Sequence, residues 1–320
     1  MKDEHGTKER VVVIGTGAMG PGIAQLFALG GHPVTLVGRS PESVARGVRQ
    51  IERSYWPTLR QAGLVNEEDV ARALITAGTD LAAACRNTDL VIEAIAEDLE
   101  AKQALFREVS ALVPEEAILA STTSALSATA IAQAVTHPER YINTHFAQPA
   151  QLVLIVEVVP GEKTSPHVTR RTLDLLKGIG RVPVVSADTP GFIWSRLQAA
   201  VLREVLAMVE QGVASPEDID KVIKFGYAAR LPAMGAFEHA DLGGLDLMKS
   251  IMETIWPHLD NRTDPNQGLL GEMVASGRLG MKSGRGFYDW TERNPDELRR
   301  QRDAEIIRRS RILKEQGYLP

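Results

Sequence analysis

Gly15-Thr16-Gly17-Ala18-Met19-Gly20 is the segment whose residue types and spacing speak most directly of chemistry. It follows the apolar run Val11-Val12-Val13-Ile14 and opens a helical stretch, Gly22 to Leu29. In that context each glycine has a task. Gly15 permits a tight turn, Gly17 lets a pyrophosphate approach the backbone, and Gly20 lets the helix pack close to the strand. The backbone N–H groups of Ala18, Met19 and Gly20 lie at the start of the helix, where free donors and a partial positive charge suit phosphate oxygens. A dinucleotide is the ligand this arrangement predicts.

The end of the next strand, Val34 to Val37, selects among dinucleotides. A carboxylate there would accept hydrogen bonds from the adenosine ribose. Gly38-Arg39-Ser40 stands instead. Arg39 offers a guanidinium to a 2′-phosphate and Ser40 a hydroxyl. The reading favours NADP(H), with NAD(H) as the alternative.

These loops need a frame. Leu90-Val91-Ile92 and Ala117 to Ala120 read as further buried strands, with a helix near 99–112 between them, and Tyr141 to Phe146 and Leu152 to Val159 read as extended. Ser43 to Ala62 reads as a long helix interrupted at Pro57. Strands alternating with helices predict a parallel α/β sheet of Rossmann type. Near Asp188 the pattern turns helical: Thr189 is read as a cap, Pro190 as the first turn and Gly212 as the stop of one long helix. The expected division is residues 1–187, a dinucleotide-binding domain, and 188–320, an all-helical domain for substrate and dimerisation. Arg299 to Lys314 reads as an amphipathic helix packed on a neighbour.

Composition narrows the function classes. The chain has 320 residues, 24% of them charged, and a net charge of -5, which supplies no excess of cations for nucleic-acid phosphates. No apolar run nears the roughly 18 residues needed to cross a bilayer. Residues 1–10 lack the apolar core of a signal peptide, and 1–9 are expected to fray. The single cysteine, Cys85, fits a reducing cytoplasm, and no Cys/His cluster has metal-ligand spacing. The expectation is a cytoplasmic protein with no metal, membrane or nucleic-acid partner.

Further segments occur in order after the glycine turn: Glu93-Ala94-Ile95-Ala96-Glu97, Thr123-Ser124-Ala125-Leu126, His145-Phe146-Ala147-Gln148-Pro149, Val156-Glu157-Val158-Val159, Pro190-Gly191-Phe192-Ile193 and Gly284-Arg285-Gly286-Phe287-Tyr288. Together they resemble the 3-hydroxyacyl-CoA dehydrogenase family, over residues 10 to 290. The length is similar to its short relatives that act without CoA, of the lambda-crystallin (gulonate) and small hydroxy-acid type. The resemblance implies a C-terminal domain like that of 6-phosphogluconate dehydrogenase, a homodimer formed through it, and a small hydroxy or keto substrate. It matches Ser124, His145 and Glu157 to the family's catalytic serine, histidine and glutamate, and sets Ala94, Ile95, Glu97 and Lys102 along the cofactor. Such a histidine takes or returns the hydroxyl proton, because its pKa lies near neutrality. A carboxylate on its other ring nitrogen fixes the tautomer.

The sequence also departs from the family. Its substrate-contacting asparagine is Ser195 here, preceded by Trp194, and Gln148 replaces an asparagine before Pro149. Of the serine and lysine that hold CoA, Ser54 is kept and the lysine position is Gln61. These changes favour a smaller hydroxy acid or ketone over a CoA thioester. A true L-3-hydroxyacyl-CoA dehydrogenase, a C=N reductase and a non-catalytic dinucleotide-binding protein of crystallin or sensor type remain the alternatives.

Overall fold

Alternate residues of the first strand, β1 (Val11–Ile14), serve two different cores. Val11 and Val13 join an apolar cluster with Ile23, Phe27, Trp56 and Val156; Val12 and Ile14 join another with Val91, Phe106, Leu119 and Tyr141. A strand buried on both faces must be apolar throughout, which is why the run has no polar alternation. In this computed structural model residues 8–62, 65 and 68–317 are described, less the side chains of Gln61 and Ala62. The readings of Gln61 and of residues 1–7 fall outside the described residues. Lys8 and Glu9, expected to fray, are held: Lys8 Nζ donates to Gly30 O, and Arg171 donates to both carboxylate oxygens of Glu9.

The other strands are β2 (Val34–Val37), β3 (Ile75–Gly78), β4 (Leu90–Glu93), β5 (Ile118–Ser121), β6 (Tyr141–Phe146), β7 (Ile155–Pro160) and β8 (Val182–Val185). They form one sheet in the order β3-β2-β1-β4-β5-β6-β7-β8. All neighbours are parallel except β6 and β7. The chain leaves β1 toward β2 and β3, then returns to place β4 on the other side. That reversal opens a crevice beyond the carboxyl ends of β1 and β4, where ligands bind in such sheets.

The helices between strands are α1 (Gly20–Leu29), α2 (Pro41–Gln50), α3 (Trp56–Ala62), α4 (Glu68–Ala73), α5 (Leu81–Cys85), α6 (Leu99–Leu112), α7 (Ala128–Ala132) and α8 (Pro166–Gly178). A widened turn, Ile51–Tyr55, joins α2 to α3. The Trp56 N–H there reaches back to Ile51 O, just before Pro57, which has no N–H to give. The expected break at Pro57 is therefore a change of helical pitch rather than an end.

The remaining helices are α9 (Trp194–Glu210), α10 (Pro216–Val222), α11 (Ala228–Arg230), α12 (Ala236–Gly243), α13 (Leu245–Ile255), α14 (Leu269–Ala275) and α15 (Pro295–Glu315). The chain divides into two compact units, Met1–Arg196 with Arg300–Pro320, and Leu197–Arg299. The helix expected to begin at Pro190 begins at Trp194. Gly191 and Phe192 both have positive φ, 76° and 49°, so Pro190 to Ile193 form a turn and not a first helical turn.

Candidate functional site

The glycine turn lines a cleft of about 680 Å³ beyond β1 and β4. A Cβ on Gly15, whose φ is 120°, would stand 2.3 Å from Ala94 O, and one on Gly20 would stand 1.8 Å from Gly15 O. Both positions exclude any side chain. Nothing lies within 4 Å of a Cβ built on Gly17, so that position faces the open cleft, where a phosphate group would meet bare backbone. No side chain caps α1 at Met19 and no acidic residue sits in its first turn, which leaves its leading N–H groups for an anion. A nicotinamide dinucleotide thus fits the residues present. Gly15, Gly17, Ala18, Met19, Gly38, Arg39, Ala94 and Ile95 all line the cleft.

At the β2 end the lining differs from the sequence reading. Ser40 is not part of it; its hydroxyl accepts the Ser43 N–H, and the Ser43 hydroxyl donates to Ser40 O, closing the N-terminus of α2. Ser43 and Arg46 line the cleft with Arg39 instead. Their signal was available: Ser43 and Arg46 lie three residues apart, on neighbouring turns of one helix face. Among the described residues neither arginine forms a close ion pair, though Arg46 acts electrostatically on Glu42 of its own helix.

Lys102, set along the cofactor by the family resemblance, is buried at 1% exposure. Its Nζ donates to Glu93 Oε1 at 2.6 Å and lies 3.6 Å from Glu97 Oε2. Glu93, fully buried, also accepts from Ile95 N–H at 2.6 Å and from the Ser121 hydroxyl at 2.5 Å. Every partner is hydrogen-bonded, which is the condition for keeping such charges out of water. The Ile95 contact fixes the backbone of the Ala94–Ala96 wall. In the sequence Glu93 opens a family segment but is given no role, although a carboxylate closing an apolar strand is a signal.

Glu97 points its Oε1 at the turn after β5. That oxygen accepts the Thr123 hydroxyl and the N–H groups of Ser124 (2.9 Å) and Ala125 (3.1 Å). Ser124 is exposed, and its hydroxyl has no hydrogen bond among the described residues. Neither Glu97 nor Lys102 lines the dinucleotide cleft.

His145 and Glu157 are direct partners across the antiparallel β6–β7 pair. Their Nδ1–Oε2 distance is 2.7 Å and both side chains are buried. The carboxylate accepts, so Nδ1 carries the proton and Nε2 keeps a lone pair. The other oxygen of Glu157 accepts Ile193 N–H at 2.7 Å and Trp194 N–H at 3.0 Å. These donors come from the positive-φ turn before α9, so the irregular backbone has a use. Phe192 packs its ring against the imidazole, with centroids 5.9 Å apart. Such an imidazole, its orientation set from strand and turn together, has the geometry acid/base chemistry requires. Trp194 and Ser195 open α9 beside this pair in sequence, and Gln148 is exposed in the loop after β6.

A family model described as the NAD binding domain of 3-hydroxyacyl-CoA dehydrogenase matches residues 10–189, and one for the C-terminal domain of that enzyme matches 191–290. The mitochondrial hydroxyacyl-coenzyme A dehydrogenase of Homo sapiens is 38% identical over 290 residues, 88% of this chain and 91% of the relative. The 5-formyl-3-hydroxy-2-methylpyridine 4-carboxylate 5-dehydrogenase of Mesorhizobium japonicum is 31% identical over 304 residues, 95% of this chain and 97% of the relative. A crystal structure of an enzyme of that name, described as an NAD+-dependent dismutase, superposes with a TM-score of 0.89 at 30% identity, covering 96% of this chain and 99% of that one.

Proposed function

The chain belongs to the 3-hydroxyacyl-CoA dehydrogenase family, and from that premise we propose that it interconverts a secondary alcohol, a 3-hydroxy acid or related compound, and its ketone. It is an oxidoreductase acting on a CH–OH group, with a nicotinamide dinucleotide as cofactor. A bound nicotinamide supplies the hydride acceptor or donor. The rest belongs to the protein. His145 Nε2 takes the hydroxyl proton in oxidation and returns it in reduction. Glu157 holds the imidazole in the required tautomer and balances the imidazolium. The Ser124 hydroxyl positions the substrate oxygen, and Ser195 adds a donor near the reacting group, with Trp194 and Gln148 as walls. The half-exposed Glu97 serves the nicotinamide ribose, and the buried Lys102 acts on it only indirectly, through Glu97 at 3.6 Å. The observation that carries this reading is the buried His145–Glu157 contact at 2.7 Å. His145→Ala should abolish turnover while dinucleotide binding persists; unchanged turnover would leave a non-catalytic binding protein as the better reading.

For the cofactor, the reading favours NADP(H). Arg39, Ser43 and Arg46 line the cleft, and no carboxylate does. A double Arg39→Ala/Arg46→Ala variant should lose affinity for NADPH and keep it for NADH. A wild-type preference for NADH that survives the double variant sinks this choice.

For the substrate, the reading favours a compact acid over a CoA thioester. Residues of α15, including Arg300, Ile307 and Arg311, share a groove with Thr58, one turn past the Ser54 matched to the family's CoA contact. The Mesorhizobium japonicum relative bears the name of a small pyridine carboxylate. The 38% identity to a hydroxyacyl-coenzyme A dehydrogenase supports the thioester as the second reading. Turnover of free hydroxy acids against acetoacetyl-CoA, each with both cofactors, separates the two.

A homodimer through the helical unit is proposed as well, because Phe225 and Phe237 there are 81% and 89% exposed beside other bare apolar side chains. Light scattering after size exclusion tests it. A cytoplasmic location is proposed from the free, buried Cys85. Among the described residues no helix is long and apolar enough to cross a membrane.

A further inference from the structure

Residues 122–127 connect β5 to α7, and neither the N–H groups of 123–127 nor those of the first turn of α7 have a strand or helix partner, so these donors need other acceptors. Side chains supply them. Ser124 and Ala125 donate to Glu97, Leu126 to Thr123 Oγ1, and Ala130 to Ser127 Oγ. The remaining contacts come from farther along the chain. Asp188 Oδ1 accepts Ala128 N–H at 2.9 Å, and Oδ2 accepts Thr129 N–H at 2.9 Å and the Ser127 hydroxyl at 2.7 Å. Asp188 also opens the segment that ends in the two N–H groups given to Glu157. One stretch, 188–194, therefore grips the Ser124 turn at one end and the His145–Glu157 pair at the other.

We propose that Asp188 is a positioning residue: it holds the turn that carries Ser124 in register with the His145–Glu157 pair. The inference rests on the catalytic reading of Ser124 and His145 given above. Three donors on one carboxylate are more than a helix start requires, since Ser127 already caps α7. The link adds to the ties that β6 already makes to this connection, Asn143 Nδ2 to Leu126 O and Phe146 N–H to Thr122 Oγ1, and reaches the Glu157 side of the pair, which is how a catalytic set is kept within a fraction of an ångström. A displacement of about 1 Å in such a set costs on the order of 100-fold in rate.

Two readouts test the proposal. In Asp188→Asn, amide hydrogen exchange over residues 124–130 should speed up, while exchange over 11–20 in the dinucleotide loop stays as in wild type. The kcat should fall about 10- to 100-fold with the KM for the dinucleotide within about twofold. Because Asp188 acts through Ser124, the same substitution made on Ser124→Ala should cost less than about threefold. Ser127→Ala leaves the carboxylate two donors but also uncaps Ala130, so its exchange is read over 124–126 alone; there, and in kcat, it should move the same way by less, and it serves if Asp188→Asn does not fold. Unchanged exchange over 124–130 overturns the proposal, as does a full, multiplicative loss of kcat on the Ser124→Ala background. Full activity of Ser124→Ala by itself overturns instead the reading of Ser124, and leaves the exchange result to judge the tie.

Discussion

Glu157→Gln isolates what the carboxylate does for His145. In the wild type, Oε1 accepts two backbone N–H groups at 2.7 and 3.0 Å and Oε2 accepts the imidazole at 2.7 Å. The amide is isosteric but has one oxygen and one NH2 group. Turning its oxygen to the backbone keeps two hydrogen bonds, and turning it to the imidazole keeps one. Each such bond is worth about 1 kcal/mol when neutral, and a buried donor left unpaired costs about 1–3 kcal/mol more. The oxygen therefore faces Ile193 and Trp194, and the NH2 faces Nδ1. Nδ1 must then accept, and the proton moves to Nε2, where the substrate hydroxyl needs a base. A wrong tautomer of this kind costs about 10⁴-fold in kcat, close to 5 kcal/mol of barrier. The assay is steady-state alcohol oxidation, with dinucleotide affinity measured by fluorescence titration and the His145 tautomer by 15N NMR. Oxidation within tenfold of wild type in a folded variant would refute the reasoning. So would a loss of rate matched by an equal loss of dinucleotide affinity.

Other expectations follow from the same contacts. Lys102→Met strands the buried Glu93 carboxylate and should cost about 3–5 kcal/mol in chemical denaturation, because an uncompensated buried charge remains; an unchanged midpoint contradicts that. Gly17→Ala meets open space, so the apo protein should keep its melting temperature while dinucleotide affinity falls at least about tenfold, whereas Gly20→Ala, with its methyl 1.8 Å from Gly15 O, should destabilise the fold itself. Burial pushes the Asp188 carboxyl up, but its hydrogen bonds with Thr129, Ser127 and Ala128 outweigh this and hold it below the usual range. With a folded pKa below the unfolded one, the Asp188 contribution is present above about pH 4 and lost as pH falls through the folded value. The stability gap between wild type and Asp188→Asn should therefore narrow in acid, and a gap that widens there goes against the sign of the effect.

Local chemistry made much of the fold legible. The runs Val11–Ile14 and Leu90–Ile92 are apolar on both faces, and Val34–Val37 departs only at Thr35; such runs have one home, the interior of a parallel sheet. The glycine turn was readable because its strand–glycine–helix pattern is local, with Gly20 packed on Gly15 O; the atom that excludes a side chain at Gly15, Ala94 O, comes from beyond β4 and was not. The edge strand β3 escaped notice because a half-exposed strand needs no apolar run, and β8 because Pro183 interrupts its apolar run, which an edge strand tolerates. The antiparallel turn of β7 against β6 escaped too, since strand direction is set by pairing.

The sequence by itself determined which residues have the chemistry: a dinucleotide turn, an arginine in place of an acid after β2, and a serine, a histidine and a glutamate in order. It could not assign the carboxylates. Glu93, Glu97, Glu157 and Asp188 look alike as letters, and their tasks depend on which N–H groups face them. Tertiary structure decided that Lys102 is buried against Glu93, that Ser40 is a cap and Ser43 lines the cleft, and that the turn before α9 donates to Glu157. The Ser40 cap is a contact over three residues and lay within reach of local reading. For the others the reason is shared: contacts of about 3 Å join groups on separate elements of the chain, so only the folded chain fixes who is paired with whom.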